Sequence, residues 1–167
     1  MSDRTYYTFL DSPLGQILLV GDGTNLTGLN FQAGKRPADI GAGWLHDELP
    51  FREVIAQIQA YFSGELRRFE LPLQPRGTFF QQQVWRELQA IPYGEMISYG
   101  ELARRLGKPA AARAVGAANG ANPIALVIPC HRVIGSNGHL TGYGGGIPIK
   151  KALLAHEQHP GRPSQWG

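Results

Sequence analysis

Three short apolar runs open the chain. TYYTFL, GQILLVG and LTGLNF are separated by DSPLG and GDGTN, a pattern that predicts three strands joined by hairpin turns. A polar loop rich in Gly and Pro, GKRPADIGAGWLHDELP, follows, and then the spacing changes. Phe51, Val54, Ile55, Ile58 and Phe62 recur at helical intervals, so the pattern predicts a helix over 51–62 with one buried face, closed by Ser63-Gly64. ELRRFELPLQPRG reads as an extended linker with two prolines. The domain boundary falls near Pro75 to Gly77, giving an N-terminal α+β domain over 1–76 and a C-terminal domain over 77–167.

The second half is patterned for helices. Thr78 is an N-cap for FFQQQVWRELQAI, where Phe80, Val84, Trp85 and Leu88 share a face, and Pro92 with Gly94 stops it. ISYGELARRLG opens a helix near Tyr99 that ends at Gly107. KPAAARAVGAANGANP gives another, begun by Pro109 and broken between Gly120 and Pro123. Two short helices joined by a tight Gly-Lys-Pro turn suggest a helix-turn-helix. The second of them carries almost no long side chain except Arg113, so its bare surface suits either close approach to DNA of any sequence or tight packing against neighbouring helices.

Charge adds an asymmetry. Residues 1–76 hold seven Lys and Arg against nine Asp and Glu, whereas residues 77–167 hold nine against four; the second half is the one suited to a polyanion. No apolar run is long enough to span a bilayer, and MSDRTYYTFL lacks the pattern of a secretory signal, so a cytoplasmic protein without membrane contact is expected. His139, His156 and His159 lack clustered partners and read as surface or capping residues, and Lys150 and Lys151 read as solvated. No metal and no cofactor are expected.

The chemistry concentrates in NPIALVIPCHRVIGSNGHLTGYGGG, which contains Cys130, the only cysteine. IALVI reads as a buried strand or extended segment that delivers Pro129, Cys130 and His131 to its end. Pro129 fixes the backbone ahead of the thiol. A single cysteine forms no internal disulfide and no Cys-rich zinc site, which leaves an inert core residue or a nucleophile.

IPCHRVIG, the NP seven residues before PCHR, the following TGYGGG, the stretch PYGEMISYGELARRLGKPAAARAVGAANGANP and the C-terminal KALLAHE together resemble the O6-alkylguanine-DNA alkyltransferases, suicide DNA-repair proteins, of the stand-alone bacterial type. The resemblance covers nearly all of residues 77–158. It implies a small ribonuclease-H-like sheet-plus-helix domain followed by a winged-helix, helix-turn-helix domain. It also implies direct repair of O6-alkylguanine in DNA, with O4-alkylthymine a candidate second substrate, by one irreversible transfer per molecule.

By that resemblance Cys130 is the acceptor thiol, His131 its base through a water, and Glu157 the carboxylate holding the imidazole. Tyr99 donates to the flipped guanine, and Asn122 is the hinge that ties the Cys loop to the helix-turn-helix. Arg113 is the finger that fills the gap left by the extruded nucleotide. Ala112, Ala114, Gly116, Ser98 and Asn119 are the expected DNA-contacting neighbours, on a helix lying in the minor groove with little sequence readout. Pro129, Val133, Tyr143 and Gly144 line the substrate pocket. There the backbone N–H of Gly144 faces O6, and the carbonyls of Cys130 and Val133 accept from the exocyclic amine. Gly144 stands where animal members have Ser, which implies a roomier pocket. The expected partner is double-stranded DNA bound by a monomer, with cooperativity along DNA left open. A non-reactive damage sensor and a cysteine hydrolase stay in view as other readings; the presence of Cys130 argues against the first, and turnover separates the second.

Overall fold

The computed structural model describes residues 4–140, 143 and 146–158. Its first half is a four-stranded sheet of order β3-β2-β1-β4. β1 (Tyr6–Ser12) and β2 (Gly15–Gly21) form an antiparallel hairpin, and β3 (Leu26–Phe31) extends it. The turns form because their residues suit them. At the first, Ser12 Oγ accepts from Leu14 N at 3.1 Å and Gly15 takes φ 96°, a left-handed value that glycine tolerates. At the second, the Asp22 carboxylate accepts from the backbone N–H groups of Thr24 and Asn25. The loop read as polar also contributes a two-residue strand, β4 (Leu45–His46), parallel to β1, too short for an apolar pattern to reveal.

Helix α1 (Arg52–Phe62) follows a short 3-10 turn over Leu49–Phe51. It buries Val54, Ile58, Tyr61 and Phe62, and the chain leaves it through Gly64 at φ 85°. Tyr61 shares the apolar stripe by its spacing from Ile58. It is fully buried, which matters below.

The second half holds α2 (Phe79–Leu88), α3 (Tyr99–Arg105), α4 (Ala112–Gly120) and α5 (Ile147–Gln158), with two-residue strands β5 (Ile97–Ser98) and β6 (Val133–Ile134) paired in parallel. Thr78 and Gln81 form a reciprocal capping box at the start of α2, and the Ser98 hydroxyl accepts from Glu101 N at the start of α3. Trp85 is the anchor between α2 and α4: its indole N–H donates to the Ala118 carbonyl at 2.9 Å in a buried position. α3 and α4 pack on each other as a helix-turn-helix.

Two helix boundaries differ from the pattern. α2 stops at Leu88, three residues before the expected Ile91. α4 starts at Ala112 rather than Pro109, because Lys108–Ala111 closes as a turn through Ala111 N to Lys108 O at 2.9 Å. A larger correction concerns IALVI, which is no strand. Leu126 takes φ 71°, and bonds from Val127 N to Ala125 O and from Ile128 N to Ile124 O fold the segment into consecutive turns. Apolar composition showed that it is buried, not that it is extended.

The two halves meet along one edge of the sheet. Leu26 of β3 bonds with the linker at Pro72 and Gln74, while Leu29 of the same strand bonds with Pro123 and Ala125, immediately after Asn122. Backbone groups that would otherwise form an open edge are thereby satisfied. The sheet braces the segment that carries the thiol. Among the described residues, no helix is long and apolar enough to cross a membrane.

Candidate active site around Cys130

Cys130 begins a short 3-10 turn, Cys130–Arg132, whose three side chains are all buried. The turn is held from two sides. Asn122 accepts from Ile124 N at 3.0 Å and donates to the Ile128 carbonyl at 2.8 Å, closing the loop ahead of the thiol. Asn119, at the end of α4, donates to the Cys130 carbonyl at 3.3 Å.

Glu157, on α5, is the center of the polar cluster. Its Oε2 lies 2.7 Å from His131 Nε2, accepts from the Tyr61 hydroxyl at 2.7 Å and from Arg132 Nη2 at 3.0 Å. Its Oε1 accepts from Arg132 Nε at 2.8 Å and from Gly94 N at 3.4 Å. Arg132 also donates to the Ile91 carbonyl at 2.7 Å. Burial works against the charge of Glu157, but hydrogen bonds from His131 and Arg132 and the Arg132 charge outweigh it and hold the carboxyl well below its ordinary range. Arg132 is the permanent cation of the set.

Burial lowers the pKa of His131, with Glu157 only partly compensating. The imidazole is therefore neutral near neutral pH. Since a carboxylate only accepts, Nε2 carries the proton, and Nδ1 is left with a lone pair. That atom is buried and has no hydrogen-bond partner among the described residues. A basic nitrogen held ready in this way is what a proton acceptor needs.

The thiol itself is not activated at rest. Burial pushes Cys130 up to about 11, while the Asn122 side chain and the charge of Lys150 pull it partly back. Lys150, expected to be solvated, is fully buried: its ammonium donates to the Val133 carbonyl at 2.6 Å and sits 5.9 Å from the center of the Tyr99 ring. Burial lowers it to about 8, an effect that a Cys130 thiolate would partly offset. The reason is helical spacing: Lys150, Leu153, Leu154 and Glu157 fall on one face of α5, so the apolar stripe carries the lysine inward. His156, expected at the surface, is also buried, its Nε2 2.7 Å from the Tyr61 carbonyl.

A cavity of about 150 Å³ lies beside the thiol, lined by Cys130, Tyr143, Asn122, Pro123 and, from the sheet half, Asn30 and Arg36. It shares Tyr143, Arg36, Gly120 and Ala121 with a wider groove of about 580 Å³ along α4 that Gly116, Ala117 and Lys35 also line. The Tyr143 hydroxyl is buried and finds no partner among the described residues. Tyr99 is half-buried with its ring over Gly116, where even an added Cβ would sit 3.7 Å away. Arg113 and Ala114 are exposed on α4, and Ala112, Gly116 and Ser98 are partly so. Asn119, expected among the DNA contacts, is only 1% exposed: its amide points inward to the Cys130 carbonyl, so it braces the site and does not reach the surface. The two carbonyls expected to accept from a guanine amine already have partners, Asn119 Nδ2 and Val133 N on that of Cys130, and Lys150 on that of Val133. Gly144 and His159 lie outside the described residues. Among those described, no cluster of His, Cys, Asp or Glu could hold a metal.

Sequence reasoning missed Tyr61, Arg132, Lys150 and Arg36. For the first three the signal was present: Tyr61 and Lys150 fall on apolar helix faces, and Arg132 directly follows His131. Arg36 had none, since only the fold brings its loop to the cavity.

Both halves of the chain match known proteins. Residues 5–75 match the family model described as "6-O-methylguanine DNA methyltransferase, ribonuclease-like domain", and residues 79–159 match "6-O-methylguanine DNA methyltransferase, DNA binding domain". The chain is 51% identical over 152 residues to the methylated-DNA--protein-cysteine methyltransferase of Methanosarcina acetivorans, covering 91% of this chain and 97% of that one. It is 51% identical over 154 residues to the Mycobacterium tuberculosis protein of the same name, 92% of each chain. Among solved structures it resembles the M. tuberculosis O6-methylguanine methyltransferase with TM-score 0.87 at 50% identity, covering 93% of this chain and 94% of that one. It also resembles M. tuberculosis OGT in complex with DNA, with TM-score 0.88 at 49% identity over 96% of each chain.

The cluster sets an acid dependence of stability. Because the folded-state pKa of Glu157 is depressed below its ordinary 4.5, its contribution is present above pH 4.5 and is lost as pH falls through the folded value. Breaking one partner of a buried ion pair costs about 3–5 kcal/mol. Urea unfolding of the parent and Glu157→Gln should therefore differ by an amount of that order at pH 7, and the gap should narrow as pH drops below 4.5. A constant gap down to pH 3 would mean that Glu157 is not the depressed carboxyl.

Proposed function

The chain belongs to the 6-O-methylguanine DNA methyltransferase family, and from that premise we propose how its residues divide the work of repair. It moves an alkyl group from damaged DNA onto a cysteine of its own, and DNA is its partner. Cys130 is the acceptor in our reading. The observation that carries it is the only cysteine of the chain lying next to an imidazole whose Nε2 is locked to an ionised carboxylate and whose Nδ1 is bare.

The step balances as a single displacement. A water bridging to His131 Nδ1 relays the thiol proton to the ring, and Glu157 stabilises the imidazolium that forms. The Cys130 sulfur then donates its electron pair to the alkyl carbon as the carbon–O6 bond breaks, and that bonding pair leaves with guanine. The Tyr99 hydroxyl hydrogen-bonds to the departing base, and the proton taken from the thiol is available to neutralise it. Burial holds the thiol protonated, so attack waits on removal of its proton through His131, which suits a reagent used once. The product is a thioether without a hydrolysable bond.

Reaching an O6 atom inside a duplex requires the nucleotide to be flipped out. We assign that task to α4, whose exposed face is small apart from Arg113. Set in the minor groove, Ala112, Ala114 and Gly116 allow close approach with little sequence readout, Ser98 lies at the edge of the contact, and Arg113 fills the vacated stack. Asn122 acts as the hinge between this helix and the thiol, and Tyr143 and Asn122 line the cavity beside Cys130 that receives O6-alkylguanine, with O4-alkylthymine a second candidate; Pro129 and Val133 are not among the residues lining that cavity. The domains divide near residues 76–77, and the protein works as a cytoplasmic monomer.

Peptide mass spectrometry after titration with a duplex carrying O6-methylguanine should show one methyl group on the Cys130 peptide, saturating at one lesion per protein. Loss of lesion beyond that ratio, with unmodified protein, would instead indicate a turning-over hydrolase. Arg113→Ala should slow repair of the duplex at least tenfold while leaving the reaction with free O6-benzylguanine within about twofold, the difference reflecting the few kcal/mol needed to unstack a base. Equal losses on both substrates would remove the finger assignment.

A further inference from the structure

Glu157 receives a hydrogen bond from outside the helical domain. Tyr61 belongs to α1, packed on the sheet, and lies 96 residues away in sequence, yet its hydroxyl donates to Oε2, the same oxygen that holds His131 Nε2, and both contacts measure 2.7 Å. The tyrosine is fully buried among Phe62, Phe69, Tyr93 and His156, so its ring has little freedom to turn the hydroxyl elsewhere. Its backbone carbonyl meets His156 Nε2 at 2.7 Å, pinning the neighbouring residue of α5 as well. One residue of the sheet domain thus contacts two consecutive residues of the catalytic helix.

We propose that Tyr61 is a positioning residue for alkyl transfer: by donating to Glu157 Oε2 it sets how strongly that oxygen holds the His131 N–H, and so tunes the basicity of the imidazole that takes the Cys130 proton. This rests on the reading of Cys130, His131 and Glu157 given above. The physical reason is competition. Two donors share one carboxylate oxygen, and each draws negative charge from the other. With Tyr61 in place, the pull of Oε2 on His131 is moderated, the imidazolium is less stabilised, and the ring stays neutral at the pH where it must accept a proton. The direction of the tyrosine's own perturbation fits: burial, then the Glu157 charge, raise its pKa well above the ordinary value, so it remains a donor throughout the working range.

The groups that face this cluster are Arg67 and Tyr93 from the loops around α2, Cys130, His131 and Arg132 from the 3-10 turn, and Lys150 and His156 from α5. Arg132 keeps Glu157 ionised with or without the tyrosine, since it donates to both oxygens. The effect of removing the hydroxyl therefore falls on His131.

The test is the pH profile of transfer from free O6-benzylguanine, measured by single-turnover kinetics on the full chain for the parent, Tyr61→Phe and Glu157→Gln. In the parent the rate rises with pH as His131 loses its proton. Tyr61→Phe should move that acidic limb upward by about half a pH unit and slow transfer by up to about threefold at pH values below the midpoint, with duplex binding unchanged. A limb that coincides with the parent's, whatever the absolute rate, would overturn the proposal, because a merely structural role changes the amplitude without moving the midpoint. Should Tyr61→Phe fail to fold, difluorotyrosine placed at position 61, a stronger donor of nearly the same shape, should move the limb downward; no movement would likewise overturn it. A normal profile in Glu157→Gln would instead sink the underlying Cys130, His131 and Glu157 reading, so the two failures are distinct.

Discussion

One buried carboxylate sets the terms for the rest of this structure. Glu157 is almost completely shielded from solvent, and an ionised carboxyl in that position survives only if its lone pairs are used. The chain meets that demand from three separate segments, Tyr61 of α1, the backbone at Gly94 and the Cys130–Arg132 turn, which converge on the carboxylate carried by α5. Satisfying the charge therefore fixes the relative placement of sheet, turn and last helix at one point. The electrostatic condition and the tertiary fold are the same constraint.

From that anchor the chemistry follows in order. Arg132 holds Glu157 ionised, Glu157 fixes the proton of His131 on Nε2, and Nδ1 is left bare in a buried setting. Cys130 is held as a thiol by burial, and Lys150, anchored on the Val133 carbonyl, places a positive charge near the site. The Asn122 bonds to Ile124 and Ile128 and the pairing of Leu29 with Pro123 and Ala125 connect this arrangement to α4 on one side and the sheet on the other.

Much of this was legible in the residues. The three strands and the Thr78 and Ser98 caps lie where alternation and capping chemistry place them, since local physics fixes them within a few positions. Where long-range contacts decide, the sequence was a weaker guide. IALVI is as apolar as a core strand, yet the Asn122 bonds and the contact with β3 fold it into turns. Asn119 sits on a helix face that looked open, and only the approach of the Cys loop turns it inward. Lys150 and Tyr61 carry polar tips on apolar stripes, and an assumption that lysine is solvated hides the first while an assumption that tyrosine is packing hides the second. The polar tip finds its role only when another segment arrives to meet it.

The account depends most on the charge state of two neighbours, an ionised Glu157 beside a neutral His131 protonated on Nε2. Nitrogen-15 NMR of the histidine rings in the unreacted protein at pH 7 reads this directly, because the two ring nitrogens of a neutral imidazole differ widely in shift and those of an imidazolium converge. The account predicts a protonated Nε2 and an unprotonated Nδ1 for His131. An imidazolium, or a proton on Nδ1, would contradict it, since neither leaves a nitrogen able to take the thiol's proton while the other holds Glu157.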